Sequence, residues 1–157
     1  MSQTVLAWAT ALIVVLLLGW MIAFGVILRR RGVNPNAVAE RNTNWVQRFL
    51  IGGAGFLDLY FILRAPFPVL DEIVAARPSP APWGAVGTLL IGAVLILASQ
   101  AGMGRSWRVG VPQAENHVEA LVTGGLNSFS RNPVYLGIMI FLIGGFLAAP
   151  GSFTAVA

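Results

Sequence analysis

The chain has 157 residues, 57% hydrophobic and only 10% charged, with a mean hydropathy of +0.77. A soluble domain carries roughly 25% charged residues, so lipid must solvate much of this surface. The net charge is +4 and every basic residue is arginine, gathered near the ends of apolar runs, which excludes the basic stripe of a nucleic-acid binder. With no cysteine, disulfides, thiolate metal sites and cysteine nucleophiles are excluded, and the lone His117 excludes a histidine-rich metal centre.

The first apolar run, Val5 to Leu28, is long enough to span a bilayer core of about 30 Å. A secretory signal peptide needs basic residues before its apolar stretch. Here Arg29, Arg30 and Arg31 follow it instead, so a retained helix is expected. The polar segment Arg29 to Arg48 contains a turn at Asn34-Pro35-Asn36 and a candidate interfacial helix over Ala37 to Arg48, with Glu40 and Arg41 on a solvated face. A second helix is expected over 49–63. It is interrupted by Asp58, broken at Ala65-Pro66-Phe67-Pro68, and extended past the kink to 76. Asp58 is expected to pair with Arg64 or a helix neighbour, since ionisable groups in apolar helices are costly and often functional.

After the proline-rich loop Arg77 to Pro82, a third helix is expected over 83–103, with Trp83 at the interface. A long polar loop, 104–133, precedes a fourth helix over 134–149, short enough to be one arm of a hairpin. Small residues at Gly52, Gly53 and Gly55, at Ala98 and Gly102, and at Gly144 and Ala148 are candidate helix contacts. The fold class is therefore all-α: one polytopic transmembrane domain of about four helices with a long loop before the last. Arginines crowd the first and third connections, which the positive-inside rule places in the cytoplasm. The N-terminus is then outside an inner or plasma membrane, with Arg29 to Arg31 as a topology signal that also attracts anionic lipid.

The loop reads GRSWRVGVPQAENHVEALVTGGLNSFSRNPVYLG from Gly104 to Gly137. Loops of this length in compact proteins are usually functional or disordered. Thr123-Gly124-Gly125-Leu126-Asn127 is turn chemistry with exposed backbone N–H groups. Asn132-Pro133 makes a second turn and opens the last helix, whose N-terminus favours an anionic group. Arg131 adds a fixed positive charge, and Tyr135 offers a ring and a hydroxyl in the first helical turn. Together these suit an amphoteric ligand with an aromatic base and a carboxylate. An interfacial loop is the plainer alternative, with Arg131 on lipid phosphate and Trp107 and Tyr135 among the headgroups; His117 reads as solvent-facing.

Three blocks, Gly104-Arg105-Ser106-Trp107-Arg108, Leu121-Val122-Thr123-Gly124-Gly125 and Arg131-Asn132-Pro133-Val134-Tyr135-Leu136-Gly137, resemble the isoprenylcysteine carboxyl methyltransferase and phospholipid methyltransferase superfamily of membrane enzymes. The ordered set carries the resemblance, not any one tripeptide, and it covers about a fifth of the chain. The resemblance implies S-adenosyl-L-methionine bound at the cytoplasmic face. It assigns cofactor contacts to Glu119, Ala120, Leu121 and Val122, to Asn132, Pro133, Val134 and Tyr135 following Arg131, and to an upstream glutamine, for which Gln113 is nearest. Where the family often has His, this chain has Glu119 and Asn132; where it has Tyr, this chain has Asn127. Family members also continue into a further cytoplasmic segment, so a truncated or shortened member is expected, the chain ending at Ala157.

The expected function is S-adenosylmethionine-dependent methylation of a hydrophobic or lipidated acceptor, with carboxylate O-methylation favoured and membrane lipid as the surrounding partner. A carboxylate is already ionised at neutral pH and needs no general base, and no catalytic residue is assigned. The rivals are a non-catalytic membrane accessory protein of the same fold and a purely structural chain.

Overall fold

The computed structural model describes residues 1–32, 45–104, 125–128, 132–151 and 154. These form α1 (Gln3–Arg30), α2 (Trp45–Leu63), α3 (Val69–Ile73), α4 (Pro82–Met103) and α5 (Pro133–Ala148), with one 3₁₀ turn at Gly125–Ser128 and no strand among the described residues. Helix starts follow local chemistry. The Ser2 hydroxyl accepts from the Val5 N–H at 3.2 Å, capping α1. Prolines open α4 and α5, where a missing N–H costs nothing. The end of α1 carries Arg29 and Arg30, cations at the negative end of the helix dipole, before Gly32 turns away with φ +76°.

The four apolar runs expected from sequence are all helical, with bounds shifted by a few residues. The largest shift is at α2. Trp45 to Arg48 are continuous with it rather than part of a separate interfacial helix, while 33–44 lie outside the described residues. Pro66 and Pro68 break the path after Leu63, and the extension beyond the kink is helical only to Ile73.

Helices α1, α2, α4 and α5 run alternately up and down. Ala65 at the end of α2 packs on Ala7 and Ala11 near the start of α1. At the same end, the Ser79 N–H donates to Gln3 Oε1 at 3.2 Å and the Arg77 N–H to the Pro150 carbonyl at 2.6 Å. At the opposite end Leu28 of α1 meets Met103 of α4, and the 3₁₀ turn lies against α4. The core is formed by Leu6, Val14, Phe61, Leu89, Ile96 and Phe141.

The exterior is as apolar as the core. Leu16, Ile22, Val94 and Met139 are all exposed. Helices α1 and α4, of 28 and 22 residues, are long and apolar enough to cross a membrane, rising about 42 and 33 Å at 1.5 Å per residue. Only 28% and 33% of their apolar windows are buried inside the molecule, so most of that surface faces outward. The interior instead holds Thr10 and Ser99. Each is bonded back to its own helix, at 2.8 Å to the Leu6 carbonyl and 2.6 Å to the Leu95 carbonyl, which is how a hydroxyl is accommodated there.

The closest helix pair is α4 against α5. A Cβ at Gly92 would lie 2.6 Å from the Phe141 backbone N, and one at Gly144 would lie 2.7 Å from the Leu89 backbone N. The two backbones touch because these positions have no side chain. The expectation for Gly144 and Ala148 holds, both being buried. Ala98 and Gly102 are exposed, and Gly52, Gly53 and Gly55 face open space. Small-residue spacing shows that a face exists but not which face meets a neighbour, and Gly92 was the position it did not single out.

Asp58 forms no ion pair among the described residues, and Arg64 pairs instead with Asp71 at 2.8 Å. Residues six apart point to well-separated faces of a helix, whereas the proline turn folds Asp71 back over the end of α2. The Tyr60 hydroxyl also donates to Asp71, at 2.8 Å, and Arg64 donates to the Ala148 carbonyl at 3.3 Å. This cluster ties α2, the α3 segment and the end of α5 together.

Candidate functional site

The antiparallel register of α4 and α5 fixes what lies at their loop end. Gly144 meets Leu89, Gly92 meets Phe141, and Gly137 meets Ile96. One more turn of each helix places Gln100 level with Pro133, the first residue of α5. The sequence-assigned residues Asn132, Pro133, Val134 and Tyr135 therefore sit beside the last turn of α4. Asn132 is exposed, Pro133 buried and Val134 half-buried. Tyr135 is 56% exposed, its ring standing clear of the core.

Asn132 holds the N-cap position of α5 with φ −149° and ψ 71°, but its side chain makes no cap hydrogen bond. The first-turn amide groups thus take no cap bond from the Asn132 side chain. Those groups and the helix dipole favour a negatively charged partner there. The backbone of Asn127 belongs to the 3₁₀ turn beside α4, which opens on Gly125 at φ +63°, a conformation suited to glycine. The Ser128 hydroxyl closes that turn on the Gly125 carbonyl at 2.7 Å. The structure thus brings the 3₁₀ turn and the start of α5 to the same end of α4. Gln113, Glu119, Ala120, Leu121, Val122 and Arg131 lie outside the described residues, as does the Asn127 side chain.

Gln100 was not singled out from the sequence. It is completely buried, and neither its amide nitrogen nor its amide oxygen has a hydrogen-bond partner among the described residues. An unpaired buried amide costs roughly 1–3 kcal/mol in proteins, so its presence at this end of α4 calls for a partner. The signal available was a Ser99-Gln100 pair closing an otherwise apolar run. Gln100 lies four and eight residues beyond Ile96 and Gly92, on the face that meets α5.

The opposite end of the bundle is different in kind. There Arg64 and Tyr60 both bond to Asp71 and the Arg64 guanidinium lies 5.7 Å from the Tyr60 ring centroid, an arrangement that ties helices together. The described residues at the loop end have the chemistry for an amphoteric ligand: a helix N-terminus for a carboxylate, an exposed tyrosine for an aromatic face, and a buried neutral amide that can both donate and accept. Comparison with known protein families, with characterised proteins and with solved structures returns no match.

Proposed function

We propose that this chain is a membrane-embedded S-adenosylmethionine-dependent methyltransferase related to the isoprenylcysteine carboxyl methyltransferase and phospholipid methyltransferase superfamily. The supporting observation is the joint placement of Asn132 to Tyr135 and the 3₁₀ turn at one end of a glycine-tight α4–α5 hairpin, with no cap hydrogen bond from the Asn132 side chain to the α5 N-terminus. Of the three sequence blocks that carry the family resemblance, the first follows α4, the second runs into the 3₁₀ turn and the third contains Asn132 to Tyr135. In this reading the four long helices all cross the bilayer, and the loop between α4 and α5 lies in the cytoplasm. The arginine-rich connection after α1 is on the same side. The α3 connection carries only Arg64 and Arg77, against five arginines in the connection after α1.

The cofactor would supply a methyl group carried on a sulfonium. Tyr135 offers an exposed ring and hydroxyl to hold it, and the α5 N-terminus favours its carboxylate. The apolar outer faces of α4 and α5 admit an acceptor from the lipid phase, so a hydrophobic or lipidated carboxylate fits best. Its anion needs no deprotonation, so orientation and exclusion of water would carry the rate, and effective molarities in favourable cases reach about 10⁵ M or more. The test is transfer of labelled methyl from S-adenosylmethionine to a prenylated cysteine carboxylate in membranes containing the chain. A base-labile methyl ester is expected. No transfer to that acceptor or to membrane lipids removes the enzymatic reading and leaves a non-catalytic membrane protein.

A further inference from the structure

Among the described residues Gln100 is the buried side chain with both of its polar ends unpartnered. Ser99 and Thr10, also buried, are satisfied by their own helices, and Arg64 bonds to Asp71 and Ala148 although its Nε, like the Ser79 hydroxyl, has no partner there. Gln100 is too long to bond back in the same way, and both its polar atoms remain unpartnered. The register of α4 on α5 places it level with the first residue of α5, on the face of α4 that carries Gly92 and Ile96. Pro133, the residue level with it, has no N–H to offer. A buried carboxamide whose donor and acceptor have no partner among the described residues therefore stands level with a helix N-terminus whose amides take no cap bond from the Asn132 side chain.

We propose that Gln100 and the N-terminus of α5 together read the α-amino-acid end of the bound ligand, which makes Gln100 a specificity-determining residue. This rests on the cofactor reading given above. A carboxylate takes hydrogen bonds from the Gln100 NH₂ group and from the first-turn amides of α5. An ammonium group on the adjacent carbon donates to the Gln100 carbonyl oxygen. A neutral amide suits this task because it serves both ends of a zwitterion without adding a charge to the bundle interior. A carboxylate side chain would repel the ligand's own carboxylate, and a hydrocarbon would serve neither end.

The experiment is calorimetric titration of the detergent-purified chain with two nucleosides. S-adenosylhomocysteine carries the amino-acid end, and 5′-methylthioadenosine lacks it. Wild type is expected to bind the first at least about tenfold more tightly, the scale of one hydrogen bond to a charged group. Gln100→Leu and Gln100→Glu are expected to lose about tenfold or more for S-adenosylhomocysteine and to bind 5′-methylthioadenosine as wild type does, which also reports that the variants are folded. Gln100→Leu is further expected to melt higher than wild type without ligand, because it removes an unpaired buried amide. Unchanged S-adenosylhomocysteine binding in both variants, or an equal loss for both nucleosides, overturns the role of Gln100 while leaving the cofactor reading intact. If wild type binds neither nucleoside, the cofactor reading itself falls, and this inference with it.

Discussion

Gly92→Ala tests whether the α4–α5 hairpin is as tight as its backbone contacts state. The new methyl would lie 2.6 Å from the Phe141 N, 2.8 Å from the Phe141 Cα and 2.9 Å from the Gly137 carbonyl oxygen. All three are backbone atoms, so no rotamer change relieves the overlap and the helices must separate. Moving from 2.6 Å to the 3.4 Å at which ordinary contact begins requires 0.8 Å. A gap of that size forfeits about a quarter to a half of each dispersion contact along the seam. Overpacking of this kind costs about 3 kcal/mol at the upper end of its usual range. Alanine's better helix propensity returns about 1 kcal/mol, which leaves a net loss of about 2 kcal/mol. Gly87 is the control, because a Cβ there meets nothing within 4 Å. Gly87→Ala should hold or gain up to about 1 kcal/mol. Unfolding in detergent, followed by circular dichroism, should separate the two variants by about 3 kcal/mol. Equal stability of the two would refute the close-approach argument. Separation would also displace the first turn of α5 from Gln100, so Gly92→Ala should weaken cofactor binding where Gly87→Ala does not.

Asp71→Ala removes the partner of a guanidinium whose side chain is 2% exposed. It should cost about 3 kcal/mol, the low end of the range for a broken buried pair because Asp71 itself keeps some solvent access. Arg64→Met combined with Asp71→Leu should recover much of that loss in the same unfolding assay, and failure of the double variant to recover would show that the pair does more than neutralise a charge. The chain lacks native cysteine, so single substitutions report sidedness directly. On intact cells a membrane-impermeant maleimide should label Pro80→Cys and spare Gly110→Cys until the membrane is opened; the reverse pattern would invert the orientation.

Apolar run length and proline placement made the helices readable, because both act within a few residues of chain. The proline break after Leu63 was legible for the same reason. What was not legible depends on contacts between distant segments. Spacing alone ranked Ala98 and Gly102 with Gly144, yet only Gly144 faces a neighbour. The partner of Arg64 depended on the path of the chain through Pro66 and Pro68, which a helical wheel does not contain. Gln100 lay at the end of an apolar run, where its cost becomes visible only once the face it occupies is known to be buried. Of the candidate site, the sequence pointed to the opening of α5, and the structure places Gln100 level with it.

The measurement closest to the central claim is calorimetric binding of S-adenosylmethionine to the detergent-purified chain, with Arg131→Ala and Tyr135→Phe beside it. The account expects saturable binding by wild type, weakened several-fold by loss of the Arg131 charge and more mildly by loss of the Tyr135 hydroxyl, since a charge-assisted contact is about twice as strong as a neutral one. Absence of saturable binding by wild type, or binding indifferent to both substitutions, would contradict a cofactor site at the loop end of the α4–α5 hairpin.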